Sequence, residues 1–193
     1  MNHPDATLKE FLYLEKGALP VAICDYIVST IKERKWVPHT WYNQIQDTSW
    51  SEKTKELDVQ DITPELQDMI NPYLHQTFNR CNEKLRFFGP NTDQIAYQFS
   101  TIRFNKYSKG QIMRQHHDHI YSIFDGDRKG IPILSIIINF NEDYKGADLY
   151  FWEDYVITLG KGDILMFPSL FLYPHGVTEA LEGERYSGVS WAW

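Results

Sequence analysis

The run Ile133–Asn141, ILSIIINFN, constrains the fold more than any other stretch of this chain. Side chains alternate between the two faces of a strand, so a run this evenly apolar suits a strand covered on both faces. Its surroundings have the same texture. From Asp93 onward Gln94–Tyr107 alternates, and Asp148–Trp152, Tyr155–Leu159, Asp163–Phe167 and Glu184–Trp193 read as further short strands. Gly146, Gly160, Gly162, Pro168, Pro174 and Gly183 punctuate them. Many short strands at even turn spacing predict a mainly β sandwich or jelly roll with helices packed on one sheet.

The helices lie upstream. Ile23, Cys24, Ile27 and Ile31 share one face of a helix that begins near Pro20 and ends before Trp36. Thr63-Pro64 caps a second, and Leu74, Thr77, Phe78, Cys81 and Leu85 keep its period, with Asn71-Pro72 predicting a break or kink. Cys24 and Cys81 fall on these apolar faces as small buried hydrophobes, and two distant thiols make neither a disulfide scaffold nor a CxxC pair. A chain of 193 residues, 42% hydrophobic and 15% aromatic, is expected to be one globular domain over 1–193. Its helical support covers about 1–90 and its β core about 93–193. The net charge of −7 argues against nucleic acid as a partner. No run approaches the roughly 20 apolar residues of a membrane span, and the first residues lack a secretory apolar stretch. The expectation is a soluble, cytoplasmic protein in a reducing compartment.

Candidate chemistry concentrates in Gln115-His116-His117-Asp118-His119. On a strand His116 and Asp118 point one way, and His117 and His119 the other. Either pair could ligate a metal. An imidazole and a carboxylate, joined by one more histidine, suit Fe(II), whereas two imidazoles suit zinc better. His175, in LYPHGV, is the remaining histidine of the β half and can supply a third ligand. Three protein ligands leave three octahedral positions, as a chelating co-substrate plus dioxygen requires. Further on, ERYSGVSWAW places Arg185, Ser187, Val189, Trp191 and Trp193 on one strand face, with Tyr186, Gly188, Ser190 and Ala192 on the other. A guanidinium aligned with Val and Trp is costly to bury unless an anion answers it. That anion is either an internal Asp or Glu, or a dicarboxylic ligand held in bidentate fashion.

Taken in order, Tyr107-Ser-Lys-Gly110, His116-x-Asp118, Lys161-Gly162-Asp163, Phe167-Pro168-Ser169, His175 and Arg185-Tyr-Ser187 resemble the Fe(II)/2-oxoglutarate dioxygenase superfamily. Within it the pattern is similar to the prolyl 4-hydroxylase-like branch, particularly its small phage and bacterial members. The resemblance runs from about Phe104 to the C-terminus, and the Pro20–Lys35 helix is similar to the one preceding the barrel in that branch. It implies a double-stranded β-helix, a cupin-like jelly roll, with iron at its mouth. His116, Asp118 and His175 would be the metal ligands and catalytic centre. Arg185 would bind the distal carboxylate of 2-oxoglutarate with Ser187 beside it, and Tyr107 would line the cofactor pocket. Asn139 occupies a strand position from which a tyrosine often enters that pocket, and Trp191 one near the substrate. The implied reaction consumes O2 and 2-oxoglutarate, releases succinate and CO2, and hydroxylates an unactivated C–H bond, with ascorbate sustaining Fe(II).

The implied substrate is a prolyl residue of a peptide or protein, met in the cytoplasm of a bacterial cell. Met113, however, stands where many prolyl hydroxylases carry a substrate-side tyrosine, and Gly146-Ala147-Asp148 replaces a Gly-Gly-Glu turn. A free amino acid, a small metabolite or another side chain is therefore the alternative substrate. A silent metal-binding barrel and a zinc hydrolase on His117, His119 and His175 are the rival classes. Nucleobase demethylases of the superfamily carry a second arginine where this chain has Trp191, which again points away from nucleic acid. Two segments are candidate lids: Ser122–Gly130, with Arg128 and Lys129 as possible substrate contacts, and Val37–Trp50. Trp36, Trp41, Tyr42 and Trp50 in or beside the latter either grip a peptide or cover the sheet.

Overall fold

A computed structural model describes residues 7–43, 48–50, 56–85, 96, 98–118 and 132–193. A short 3-10 turn, Leu8–Phe11, leads into β1 (Tyr13–Glu15) and α1 (Val21–Lys32). There follow β2 (Val37–Pro38), β3 (Trp41–Asn43), β4 (Thr48–Trp50), β5 (Asp58–Asp61) and α2 (Pro64–Leu85). The rest is β: β6 (Arg103–Tyr107), β7 (Met113–His116), β8 (Leu134–Asn139), β9 (Lys145–Gly146) and β10 (Leu149–Phe151). The chain continues through β11 (Tyr155–Ile157), β12 (Ile164–Pro168), β13 (His175–Val177), β14 (Ala180–Glu182) and β15 (Arg185–Ala192).

Among the described residues the strands form a seven-stranded sheet, ordered β1-β12-β8-β15-β6-β5-β2, and a four-stranded sheet, β11-β10-β13-β7. Both are antiparallel throughout. The apolar run explains its own place. β8 pairs with β12 on one edge and β15 on the other, and all six of its residues are buried. Ile136 and Ile138 enter a core shared with the helices, while Ile137 enters a second core between the two sheets. Each fully buried isoleucine contributes about 1.5–3 kcal/mol relative to exposure, so both faces of β8 demand cover.

The helices supply one cover, on the outer face of the large sheet. Cys24, Ile27 and Ile31 of α1, with Leu66, Ile70, Leu74, Phe78 and Cys81 of α2, pack against Phe104, Ile164, Met166 and Tyr186. The small sheet supplies the other: Met113, Leu149, Phe151 and Val177 meet Leu165 and Phe167. Gly162 fastens α1 to this frame. At φ +83° it passes so close to the Leu19 carbonyl that a Cβ would lie 2.3 Å from the oxygen. Asp163 completes the clamp by accepting from the Gly17 and Gly160 N–H groups, each at 2.8 Å.

Three expectations change. Of the break or kink expected at Asn71-Pro72, the break does not occur: α2 continues through Pro72. Pro72 and Asp68, whose carbonyl loses its helical partner, are both exposed, so water serves that group while Ile70 and Leu74 stay packed. Of the expected Gln94–Tyr107 strand, residues 94, 95 and 97 lie outside the described residues; Phe99 pairs with Ala192 as an isolated bridge and β6 begins only at Arg103, because the Ile102 N–H is taken by Gln67 Oε1 of α2 at 2.8 Å. Val37–Trp50, whose periodicity predicts no regular structure, contains β2, at the edge of the large sheet, and the β3–β4 pair, with 44–47 outside the described residues. Ser122–Gly130, with Arg128 and Lys129, lies outside the described residues. No helix among the described residues is long and apolar enough to cross a membrane.

Candidate metal centre and its cleft

The last residue of β7, His116, faces the first residue of β13, His175, as cross-strand partners, with ring centroids 4.4 Å apart. Asp118 follows two residues beyond His116, past the end of the strand. The ligand atoms of these three side chains lie within 4.8 Å of one another. His116 Nε2 is 3.4 Å from Asp118 Oδ1, and His175 Nε2 is 3.7 Å from Asp118 Oδ2.

Hydrogen bonding decides which ring nitrogens are available. His116 Nδ1 lies 2.8 Å from the Arg114 carbonyl, and His175 Nδ1 lies 3.1 Å from the Tyr173 carbonyl. A carbonyl can only accept, so both Nδ1 atoms carry the proton and both Nε2 lone pairs are free to coordinate. Burial pushes His175 down to about 4, against the pull of Asp118, and so keeps its imidazole neutral near pH 7. Burial also opposes ionisation of Asp118. The adjoining His175 and His116, together with the hydrogen bond donated by Ser135, outweigh it and hold the carboxyl well below its usual range. Two imidazole Nε2 lone pairs and one carboxylate form a donor set that fits a divalent ion with open positions, of the kind Fe(II) takes.

Packing holds these ligands in place. Phe167 meets the His175 ring edge-on at 4.8 Å, and Trp41 meets His116 at 5.5 Å. Trp41 Nε1 donates to buried Glu56, which also accepts from Arg114 Nε at 2.8 Å. Sequence reasoning missed this network, which joins β3, Glu56 two residues ahead of β5, and β7.

A cleft opens between the sheets beside the three ligands. Its floor is the β15–β6 pair, in register Arg185↔Tyr107, Ser187↔Asn105 and Val189↔Arg103. At one end Arg185, 2% exposed, stands over the Tyr107 ring at 5.5 Å. Its Nε donates to Asn139 Oδ1 at 3.0 Å and its Nη1 to the Ala147 carbonyl at 2.9 Å. None of the ion pairs among the described residues involves Arg185, so the internal Asp or Glu partner is not found there. At the other end Trp191 pairs in register with Ser135, whose Oγ donates to Asp118 Oδ2 at 2.7 Å. The metal-competent cluster therefore sits toward the Trp191 end of the floor, and Arg185 at the far end.

Of the residues singled out from sequence, Tyr107, Met113, Ser187 and Trp191 line the cleft with the three ligands and Arg185. Asn139 does not line it. It stands behind Arg185, its Nδ2 donating to the Asn141 and Leu159 carbonyls at 2.7 and 3.1 Å, and acts on the cleft through the guanidinium. His117 is exposed and outside the cluster, and His119 lies outside the described residues, so the zinc alternative gains no support. Arg103 and Asn105 line the cleft and were missed, although they share the period-two face of Tyr107.

The comparisons agree with this geometry. Residues 102–193 match the profile of the 2OG-Fe(II) oxygenase superfamily. A Pseudomonas putida prolyl-4-hydroxylase shares the fold, with a TM-score of 0.65 at 19% identity, over 94% of this chain and 91% of that one. A viral collagen prolyl hydroxylase from Paramecium bursaria Chlorella virus-1, solved with 2-oxoglutarate, has a TM-score of 0.65 at 16% identity over 94% of each chain. A prolyl hydroxylase from Trichoplax adhaerens, bound to a hypoxia inducible factor peptide, has a TM-score of 0.67 at 13% identity, covering 95% of this chain and 84% of that one. No curated protein sequence matches the chain significantly.

Proposed function

We propose that the chain, whose residues 102–193 match the 2OG-Fe(II) oxygenase superfamily, belongs to that superfamily and hydroxylates an unactivated C–H bond of a prolyl residue in a peptide or protein. One observation carries this reading: a single cleft joins a two-histidine, one-carboxylate donor set to a buried arginine that lacks a carboxylate partner among the described residues. On this reading the two facing sheets form a double-stranded β-helix within one domain, and the buried free thiols Cys24 and Cys81 suit a reducing cytoplasm.

His116, Asp118 and His175 would hold Fe(II). When bound, the iron and 2-oxoglutarate supply the oxidising chemistry, in which O2 is consumed, succinate and CO2 are released, and one oxygen atom enters the substrate. Arg185 holds the distal carboxylate of 2-oxoglutarate, oriented by Asn139 and the Ala147 carbonyl. Ser187 and Tyr107 flank that end, while Ile137, Leu149 and Val177 keep water from the cleft. Ascorbate serves as the reductant that sustains turnover. The lining by Met113, in place of a tyrosine, favours a second reading in which a free amino acid or another side chain is oxidised.

The test supplies Fe(II), ascorbate and 2-oxoglutarate, with and without proline-containing peptides, and follows succinate and peptide mass. One oxygen added to proline with matching extra succinate supports the reading. Succinate without peptide oxidation retains the cofactor chemistry and refutes the peptidyl-proline substrate.

A further inference from the structure

The proposed reaction uses one of the two guanidinium groups that line the cleft among the described residues. The other, Arg103, is half-buried on β6, four residues from the Tyr107–Arg185 pair. At about 3.3 Å per residue, four residues put it roughly 13 Å along the floor from the arginine that would hold 2-oxoglutarate. It stands instead at the metal end. Its guanidinium lies 5.7 Å from the Trp191 ring, and Trp191 is the register partner of the serine that holds Asp118.

Arg103 is equipped to meet an anion. Its Nε donates to Asn105 Oδ1 at 3.2 Å, and none of the ion pairs among the described residues involves it. Trp191 Nε1 beside it is buried without a hydrogen-bond partner among the described residues. Burial makes its charge costly, the Asp118 and Asp61 carboxylates offset part of that cost without forming an ion pair with it, and its planar fork matches one further carboxylate. We infer that Arg103, stacked on Trp191, is a specificity-determining residue that selects substrates bearing a carboxylate close to the carbon that is oxidised. This rests on the oxygenase reading above and narrows its substrate class. The carboxylate comes from either of two sources: the α-carboxylate of a free amino acid, or an acidic residue adjoining the target in a peptide.

The test measures binding to the full chain loaded with Mn(II) and 2-oxoglutarate. The probes are matched pairs: free amino acids against their carboxamides, and blocked peptides with Glu against Gln beside the target position, with proline and other residues as targets. In at least one pair the acid binds about tenfold or more tightly than its amide, and the preference shrinks as salt rises. Arg103→Gln abolishes the preference while 2-oxoglutarate affinity stays within about twofold, and Arg103→Lys retains part of it. The pair that shows the preference identifies the source of the carboxylate. A panel in which no acid outbinds its amide overturns the inference without need of a variant. So does a preference that survives Arg103→Gln, or a variant that loses 2-oxoglutarate in place of substrate. Which target residue gains oxygen in a parallel Fe(II) assay reports separately on the prolyl reading.

Discussion

Ser135 donates its hydroxyl to Asp118 Oδ2 at 2.7 Å, tying a residue just past β7 to the centre of the opposite sheet. The same hydroxyl lies 2.8 Å from Ser169 Oγ, so its position is shared with the end of β12. Supporting hydrogen bonds of this kind orient a ligating carboxylate, and their loss typically costs about 10–100-fold in metal affinity. Ser135→Ala should weaken Mn(II) binding by that factor with little change in thermal stability. Asp118→Ala should abolish metal-dependent turnover, and calorimetric titration of each variant measures the difference.

Arg185 predicts a graded response in the affinity for 2-oxoglutarate. Arg185→Ala removes the charge and should raise the 2-oxoglutarate KM by about 100-fold or more. Asn139→Ala removes one of the two protein hydrogen bonds that aim the guanidinium, and should raise KM by about tenfold. Succinate formation against 2-oxoglutarate concentration separates the two. An equal loss in both variants would show that Asn139 does more than position the arginine.

Gly176 follows His175 in β13 and leaves no room for a side chain. A Cβ there would lie 2.5 Å from Tyr150 Oη and 2.8 Å from the Met113 carbonyl oxygen. The tyrosine can turn aside, but the β7 backbone cannot. Gly176→Ala should therefore destabilise the fold by about 1–3 kcal/mol and spread the His116–His175 pair. Chemical denaturation and metal affinity should fall together.

Much of this arrangement could be read along the chain, because it rests on period-two patterns. ILSIIINFN gave a central strand, and the Arg185–Trp191 face gave the cleft floor, since each depends only on alternation. What escaped depends on register between distant segments. Nothing near Arg103 in sequence shows that Val189 lies opposite it, or that Ser135 meets Asp118. The end of β6 escaped for a related reason: the side chain that takes its ladder bond belongs to Gln67, on a helix 35 residues away. Pro72 misled because its local cost was readable while the exposure that offsets it was not.

His39 makes stability depend on pH. Burial, reinforced by Arg103, pushes it from 6.5 down to about 4 in the folded chain, outweighing the pull of Glu56. Between those values the unfolded chain binds more protons than the folded one, so stability rises with pH across the window. The metal-free protein should be fully stabilised in this respect above about pH 6.5 and lose that contribution as pH falls toward 4. His39→Gln should flatten the slope of unfolding free energy against pH there, as urea titrations at stepped pH would show.

The central claim is that His116, Asp118 and His175 form the site at which 2-oxoglutarate is consumed. The direct measurement is succinate released from 2-oxoglutarate by the wild type and by Asp118→Ala, with Fe(II) supplied and then removed by a chelator. Succinate that requires both Fe(II) and Asp118 is the predicted result. Succinate formation that persists in the variant, or an Fe(II)-replete wild type that forms none, would contradict the account.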